Sequence, residues 1–111
     1  MNIDITPENI LTQLGYNPSE NALSQVKNII NNTKNFDKFS KHIFSLNDEI
    51  KHIGGFVAMS NSNDYFKIKL NDSSSEMAEE FKKAVDRWSQ KYKVQIQKVE
   101  NKNTYYIIGQ K

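Results

Sequence analysis

Hydrophobic positions recur at helical spacing through most of the first half of the chain. The pattern predicts a short helix over residues 7–14, which Thr6 can cap. A second helix is expected directly afterwards, with Asn17 as its cap and Pro18 at its first position. Its apolar residues recur at helical spacing up to position 30, so one face of the helix is hydrophobic.

The most regular pattern of the first half lies between residues 36 and 53. Its apolar residues form a heptad-like stripe: Phe36, Phe39, Ile43, Leu46, Ile50 and Ile53. A stripe of this length favours a single helix that faces the core of its own domain. It is also compatible with a helix that pairs with a second copy, so that Phe36, Phe39, Ile43, Leu46 and Ile50 are candidate residues of a dimer interface.

The hydrophobic period changes from helical to strand-like after Gly54 and Gly55. Residues 56–59 and 65–70 are predicted to be two strands joined by a polar turn over residues 61–64. An amphipathic helix is expected over residues 75–92, with acidic residues near its start and basic residues near its end. Two further strands are predicted, over residues 93–99 and 104–108.

The predicted order is three N-terminal helices followed by a β-β-α-β-β unit. We therefore expect an α+β fold with a four-stranded, mainly antiparallel sheet packed on helix 75–92. The 111 residues are the size of one ordinary domain. We predict a single domain over residues 1–111, with a helical part at about 6–53 and a sheet-containing part at about 56–109. The strand order does not follow from the pattern.

Composition restricts the chemistry that the chain can perform. It contains no cysteine, which excludes disulfides, thiolate metal sites and a cysteine nucleophile. No apolar run approaches the ~18 residues of a bilayer span, and no signal-peptide pattern is present. We therefore expect a cytoplasmic protein without membrane contact. Phosphate-binding and nucleophile motifs are also missing, so we expect no enzymatic activity and no cofactor.

Charge and strand alternation together define a candidate binding face. The net charge is only +2. If Phe66, Ile68, Val94 and Ile96 point to the core, alternation places a mixed aromatic, basic and amide set on the opposite side of the sheet: Tyr65, Lys67, Lys69, Lys93, Gln95 and Gln97. Alternation also sends Tyr105 and Tyr106 to opposite faces, so one of the two joins this set. Tyrosine rings can stack on bases and lysines can contact phosphates, so such a face could bind single-stranded nucleic acid. The same residue types also occur on ordinary solvated sheets.

One flank of the third helix gathers the only two histidines of the chain. His42, Glu49 and His52 lie within a narrow sector of that helix. A His–Glu–His set could bind zinc or take part in acid–base chemistry. The spacing does not match the zinc-protease motif, however, and a further ligand would have to come from elsewhere. Two exposed histidines without a chemical role are the simpler interpretation.

These observations favour a non-catalytic protein–protein interaction module. Its partner would be another protein or a second copy of the same chain, because the chain offers an apolar helix stripe and two hairpins with outer strands. A regulator, an adaptor, an escort and an inhibitor are all compatible with this class. The alternative is a nucleic-acid-binding protein that uses the Tyr/Lys face of the sheet.

Overall fold

The computed structural model describes residues 6–60, 63–71, 75–100 and 102–110. These residues form an α+β fold in which three helices precede a β-β-α-β-β unit, as the sequence predicts. The elements are α1 (Pro7–Gln13), α2 (Glu20–Asn32), α3 (Phe36–Lys51), β1 (Gly55–Met59), β2 (Phe66–Leu70), α4 (Ser75–Tyr92), β3 (Val94–Lys98) and β4 (Thr104–Gln110). The predicted turn at 61–64 lies partly outside the described residues.

The four strands form one antiparallel sheet in the order β1-β2-β4-β3. The two hairpins therefore meet through β2 and β4, and β1 and β3 are the edge strands. At the far end of β4, Lys34 from the loop between α2 and α3 forms a parallel bridge with Gly109. The loop thus continues the sheet where β2 has already ended.

Side-chain caps fix where the first two helices begin. The Thr6 hydroxyl accepts a hydrogen bond from the backbone N–H of Asn9 at 3.2 Å, as the sequence predicts for α1. The expected start of α2 is wrong by two residues, because Ser19 and not Asn17 is its cap. The Ser19 hydroxyl accepts from the backbone N–H of Ala22 at 3.1 Å, and the helix begins at Glu20.

The core lies between the helices and one face of the sheet. The apolar stripe of α3 is buried there, and Phe36 stacks on Phe66 of β2 with ring centroids 5.8 Å apart. The predicted amphipathic helix over residues 75–92 is confirmed as α4, which buries Phe81, Ala84, Val85 and Trp88. The inward-facing residues of the two central strands are buried as well: Phe66, Ile68, Leu70, Tyr105 and Ile107.

The opposite face of the sheet is not covered by the helices. Its larger side chains are exposed or half-buried: Phe56, Tyr65, Lys67, Lys69, Gln95, Gln97 and Tyr106. Among the described helices, none has the combination of length and apolarity that a bilayer span requires. The helices therefore take up one face of the sheet and leave the other face open to solvent.

Candidate binding face

Alternation along β2 places Lys67 and Lys69 together on the uncovered face, and the strand register fixes their neighbours on β1 and β4. Lys67 of β2 lies between Ala58 of β1 and Tyr106 of β4. Two positions along β2, Lys69 lies between Phe56 and Thr104 in the same way. Directly opposed residues in an antiparallel sheet have neighbouring side chains. Each lysine is therefore flanked on both sides by uncharged side chains.

A pair of tyrosines lies beside Lys67 on the same face. Tyr65 and Tyr106 have ring centroids 6.1 Å apart and planes inclined at 46°. The preceding residue in the chain, Tyr105, is buried on the core side and contacts the ring of Phe81. The expectation that alternation sends Tyr105 and Tyr106 to opposite faces is thus confirmed. The uncovered face carries two adjacent aromatic rings and two lysines.

A shallow depression of about 180 Å³ opens on the same face. It is lined by Ser60, Lys67, Lys69, Val99, Lys102, Thr104 and Tyr106. Lys102 belongs to the turn between β3 and β4 and is not among the residues that the sequence predicts for this face. Turn residues have no strand alternation from which their side could be deduced, so only the folded structure shows that Lys102 joins Lys67 and Lys69.

The charge on this face is positive and uncompensated. Two strand lysines, Lys67 and Lys69, lie on it, and the four strands contain no acidic residue. In the described part of the chain, Arg87 and Glu49 form an ion pair away from the sheet, whereas Lys67, Lys69 and Lys102 form none. Three ammonium groups around one depression raise the local positive potential and attract an anionic partner.

One of the predicted face residues, Lys93, is placed differently from the others. Lys93 is not part of β3, because it takes a left-handed backbone conformation with φ 56° between α4 and the strand. Strand alternation therefore does not assign its side chain to the face. Gln95 lies within β3 and is exposed, and Gln97 follows it on the same side. The third lysine beside Lys67 and Lys69 is Lys102 and not Lys93.

The residues of the candidate helix interface are buried within the chain itself. Phe36, Phe39, Ile43, Leu46 and Ile50 are all 6% exposed or less and belong to the core. Of the two interpretations of the stripe, the structure thus supports the helix that faces its own core. In this fold the stripe is not offered to a second chain, and a dimer would have to use another surface.

The edge strand β1 is closed by side chains from the helices. In its register with β2, the backbone N–H groups of Val57 and Met59 point away from the sheet. The Val57 N–H donates to Asn47 Oδ1 at 2.9 Å, and the Met59 N–H donates to the Tyr16 hydroxyl oxygen at 3.0 Å. A further strand cannot pair here without displacing these partners.

The histidine cluster is not assembled in the structure. His42 stacks on Tyr92 of α4, with centroids 3.7 Å apart and planes inclined at 14°. Glu49 lies 3.7 Å from Arg87, and His52 is exposed at the end of α3. Across the described ranges, no three His, Asp or Glu side chains are grouped closely enough to hold a metal ion. The three residues therefore have separate surroundings.

The stacked histidine makes stability depend on pH. Burial lowers the pKa of His42 below 6.5, and the charges of Lys41 and Lys91 lower the pKa further. Between the lowered pKa and that of the unfolded chain, the unfolded state binds more protons, so protonation favours unfolding. We expect the free energy of unfolding to fall as the pH drops from about 7 to 5. Urea titrations across this range measure the effect.

The matched variant for that experiment is His42→Phe, which keeps an aromatic ring on Tyr92 but cannot take up a proton. The fall in stability should be smaller in His42→Phe than in the wild type. Equal pH dependence in the two proteins would show that His42 does not contribute. The difference between the two curves also removes the contribution of every carboxylate that titrates in the same range.

Comparison with known proteins gives no relative from which a function could be inferred. No protein-family model matches the chain. Searches of the curated proteins and of the solved structures also give no significant match. Function must therefore be argued from the fold and from the surface described above.

Proposed function

We propose that this protein is a non-catalytic protein–protein interaction module that binds an acidic partner through the uncovered face of its sheet. The observation that supports this most directly is the depression lined by Lys67, Lys69 and Lys102. The face combines lysines with apolar and aromatic side chains, so it offers both charge attraction and surface that association can bury. Partner residues of opposite charge would give specificity and fast association.

The shape of the face supports a protein partner over a small substrate. The depression is shallow and open, whereas most small-molecule sites are enclosed pockets of roughly 300–1,000 Å³. A flat, mixed surface beside a rigid sheet suits a partner that covers a wide area. Because the strands hold the backbone of Lys67 and Lys69 in place, only the side chains have to be ordered when the partner binds.

Removing the three lysines should weaken binding to an acidic protein chain. For Lys67→Ala, Lys69→Ala and Lys102→Ala combined, we expect affinity for polyglutamate to fall roughly 3- to 100-fold. The estimate takes about 0.2–1 kcal/mol for each exposed charge pair. Fluorescence anisotropy with labelled polyglutamate at low salt measures this change.

The matched control removes three exposed lysines from the helices: Lys27, Lys82 and Lys83. Both triple variants have the same net charge, so a general loss of positive charge affects them equally. The proposal expects the helix variant to bind nearly as well as the wild type. If the two triple variants lose affinity equally, the sheet face has no special role.

The second candidate function is binding of single-stranded nucleic acid. The observation that favours it is the adjacent pair Tyr65 and Tyr106 beside Lys67. Bases stack on such rings while phosphates lie along the lysines, and stacking contributes about 1–3 kcal/mol per base. A small net charge of +2 is modest for a protein with this role.

Substitution of Tyr65 separates the two functions. If bases stack on the ring, Tyr65→Leu should weaken binding of an oligothymidylate roughly 5- to 100-fold, whereas Tyr65→Phe should retain most of the affinity. An acidic protein partner does not need a stacked ring, so Tyr65→Leu should bind polyglutamate almost normally. Anisotropy titrations with both probes test this, and equal oligonucleotide affinity of the Leu and Phe variants would exclude stacking on Tyr65.

A further inference from the structure

The two edge strands, β1 and β3, differ in how many of their outward backbone groups are hydrogen-bonded. The side chains of Asn47 and Tyr16 accept hydrogen bonds from the outward N–H groups of β1. Directly after β3, the Val99 N–H donates to the Thr104 carbonyl at 2.9 Å, so every second residue before it, Gln97 and Gln95, also directs its backbone groups toward β4. It follows that Ile96 and Lys98 direct their backbone N–H and C=O groups away from β4. No described residue hydrogen-bonds these groups of Ile96 and Lys98, whereas the carbonyl of Val94, the other outward residue of β3, accepts from Ser89 Oγ at 2.7 Å.

We infer that β3 is a docking edge, which takes up an extended, acidic segment of a partner protein as a fifth strand. This inference rests on the proposed function, since it specifies how the protein partner is held. Strand addition satisfies the free backbone groups of an edge and gives affinity through main-chain hydrogen bonds. The added strand would extend the sheet beyond β3.

The surroundings of β3 specify the chemistry of that segment. The strand is flanked by two exposed lysines, Lys93 and Lys98, with no acidic residue between them. Carboxylates at the two ends of the added segment would lie near these charges. Ile96 is only partly buried against the core, so an apolar residue of the segment beside it would complete its burial. The paired stretch must be free of proline.

A second copy of the chain fits this edge less well than an acidic segment. Antiparallel pairing of β3 with itself, centred on Ile96, is the register that pairs all five residues of the strand. In that register Lys98 of one copy lies opposite Val94 of the other, directly beside its Lys93. The symmetric pair would contain two such contacts between like charges, and their repulsion would oppose self-association. Lysines at sheet edges commonly prevent edge-to-edge pairing in this way.

The test uses a labelled peptide in which glutamates flank alternating valine and threonine residues. Lys98→Pro removes one outward N–H without removing a bond to β4, and Lys98→Ala removes the charge alone. We expect Lys98→Pro to bind the peptide at least roughly tenfold more weakly than Lys98→Ala. In the wild type, amide hydrogen exchange at Ile96 and Lys98 should slow when the peptide is bound.

A peptide-side control keeps the test valid if Lys98→Pro folds poorly. N-methylation of all the valines and threonines removes every backbone donor of the paired stretch and should abolish binding to the wild-type protein. Equal affinity for the methylated and unmethylated peptides, or unchanged exchange at Ile96 and Lys98, would overturn the docking edge. If the peptide instead perturbs only Lys67, Lys69 and Tyr106, the edge is excluded while the proposed binding face stands. Absence of any binding would count against both.

Discussion

Phe39→Asp is expected to unfold the protein. Phe39 is fully buried on α3 and lies edge-on to Phe36, with ring centroids 5.8 Å apart. Loss of a buried phenylalanine alone costs about 3–5 kcal/mol, and an unpaired carboxylate in its place adds a further penalty. Domains of this size have total stabilities of about 5–15 kcal/mol, so little or no folded population should remain. Circular dichroism and thermal melting measure the outcome.

The control for this variant is Ser45→Asp, which adds the same charge to an exposed position of the same helix. It should melt cooperatively and close to the wild type, since surface substitutions usually change stability by less than about 0.5 kcal/mol. A cooperatively folded Phe39→Asp that sediments as a smaller species than the wild type would contradict the intramolecular role of the stripe. It would restore the dimer interpretation of Phe36, Phe39, Ile43, Leu46 and Ile50.

Gly109→Ala is expected to have the next largest effect. Gly109 has φ 155°, and an added Cβ would lie 2.8 Å from both the backbone N and the backbone O of Lys34. The neighbouring N–H of Gln110 donates to the Lys34 carbonyl at 2.9 Å, so the two segments cannot separate without losing this bond. Steric overlap and backbone strain together should cost about 2–5 kcal/mol, measurable by urea unfolding.

Gly15→Ala separates backbone strain from steric overlap. Gly15 also has a positive φ, of 88°, but nothing lies within 4 Å of the place a Cβ would take. Only the conformational cost of about 1–2 kcal/mol applies there. Gly109→Ala should therefore be clearly less stable than Gly15→Ala. Equal losses would mean that the contact between Lys34 and β4 contributes little to the fold.

Local patterns in the sequence predict the secondary structure well, because helix and strand periods are local properties. The period-of-two alternation correctly places Lys67, Lys69 and Tyr65 opposite the core-facing Phe66 and Ile68. The same reasoning fails for Lys93. A residue in a left-handed conformation at the end of a helix interrupts the alternation, and its identity as lysine gives no signal of that.

Long-range features of the site could not be derived from the pattern. The order β1-β2-β4-β3 makes β3 an edge, and neither hairpin alone contains that information. Closure of β1 depends on Tyr16 and Asn47, which are 43 and 10 residues distant in the chain from the strand residues they contact. The apolar stripe of α3 illustrates the same limit, because a core helix and a dimer helix share one period.

The proposed function requires that the uncovered face of the sheet is the binding surface. Nuclear magnetic resonance titration of the isotope-labelled protein at low salt, with polyglutamate in one series and oligothymidylate in another, shows which residues each probe contacts. We expect the backbone amide shifts to concentrate at Lys67, Lys69, Thr104 and Tyr106, with little change on the exposed sides of α2 and α4. Shifts confined to those helices, or no shift with either probe, would contradict the proposed function.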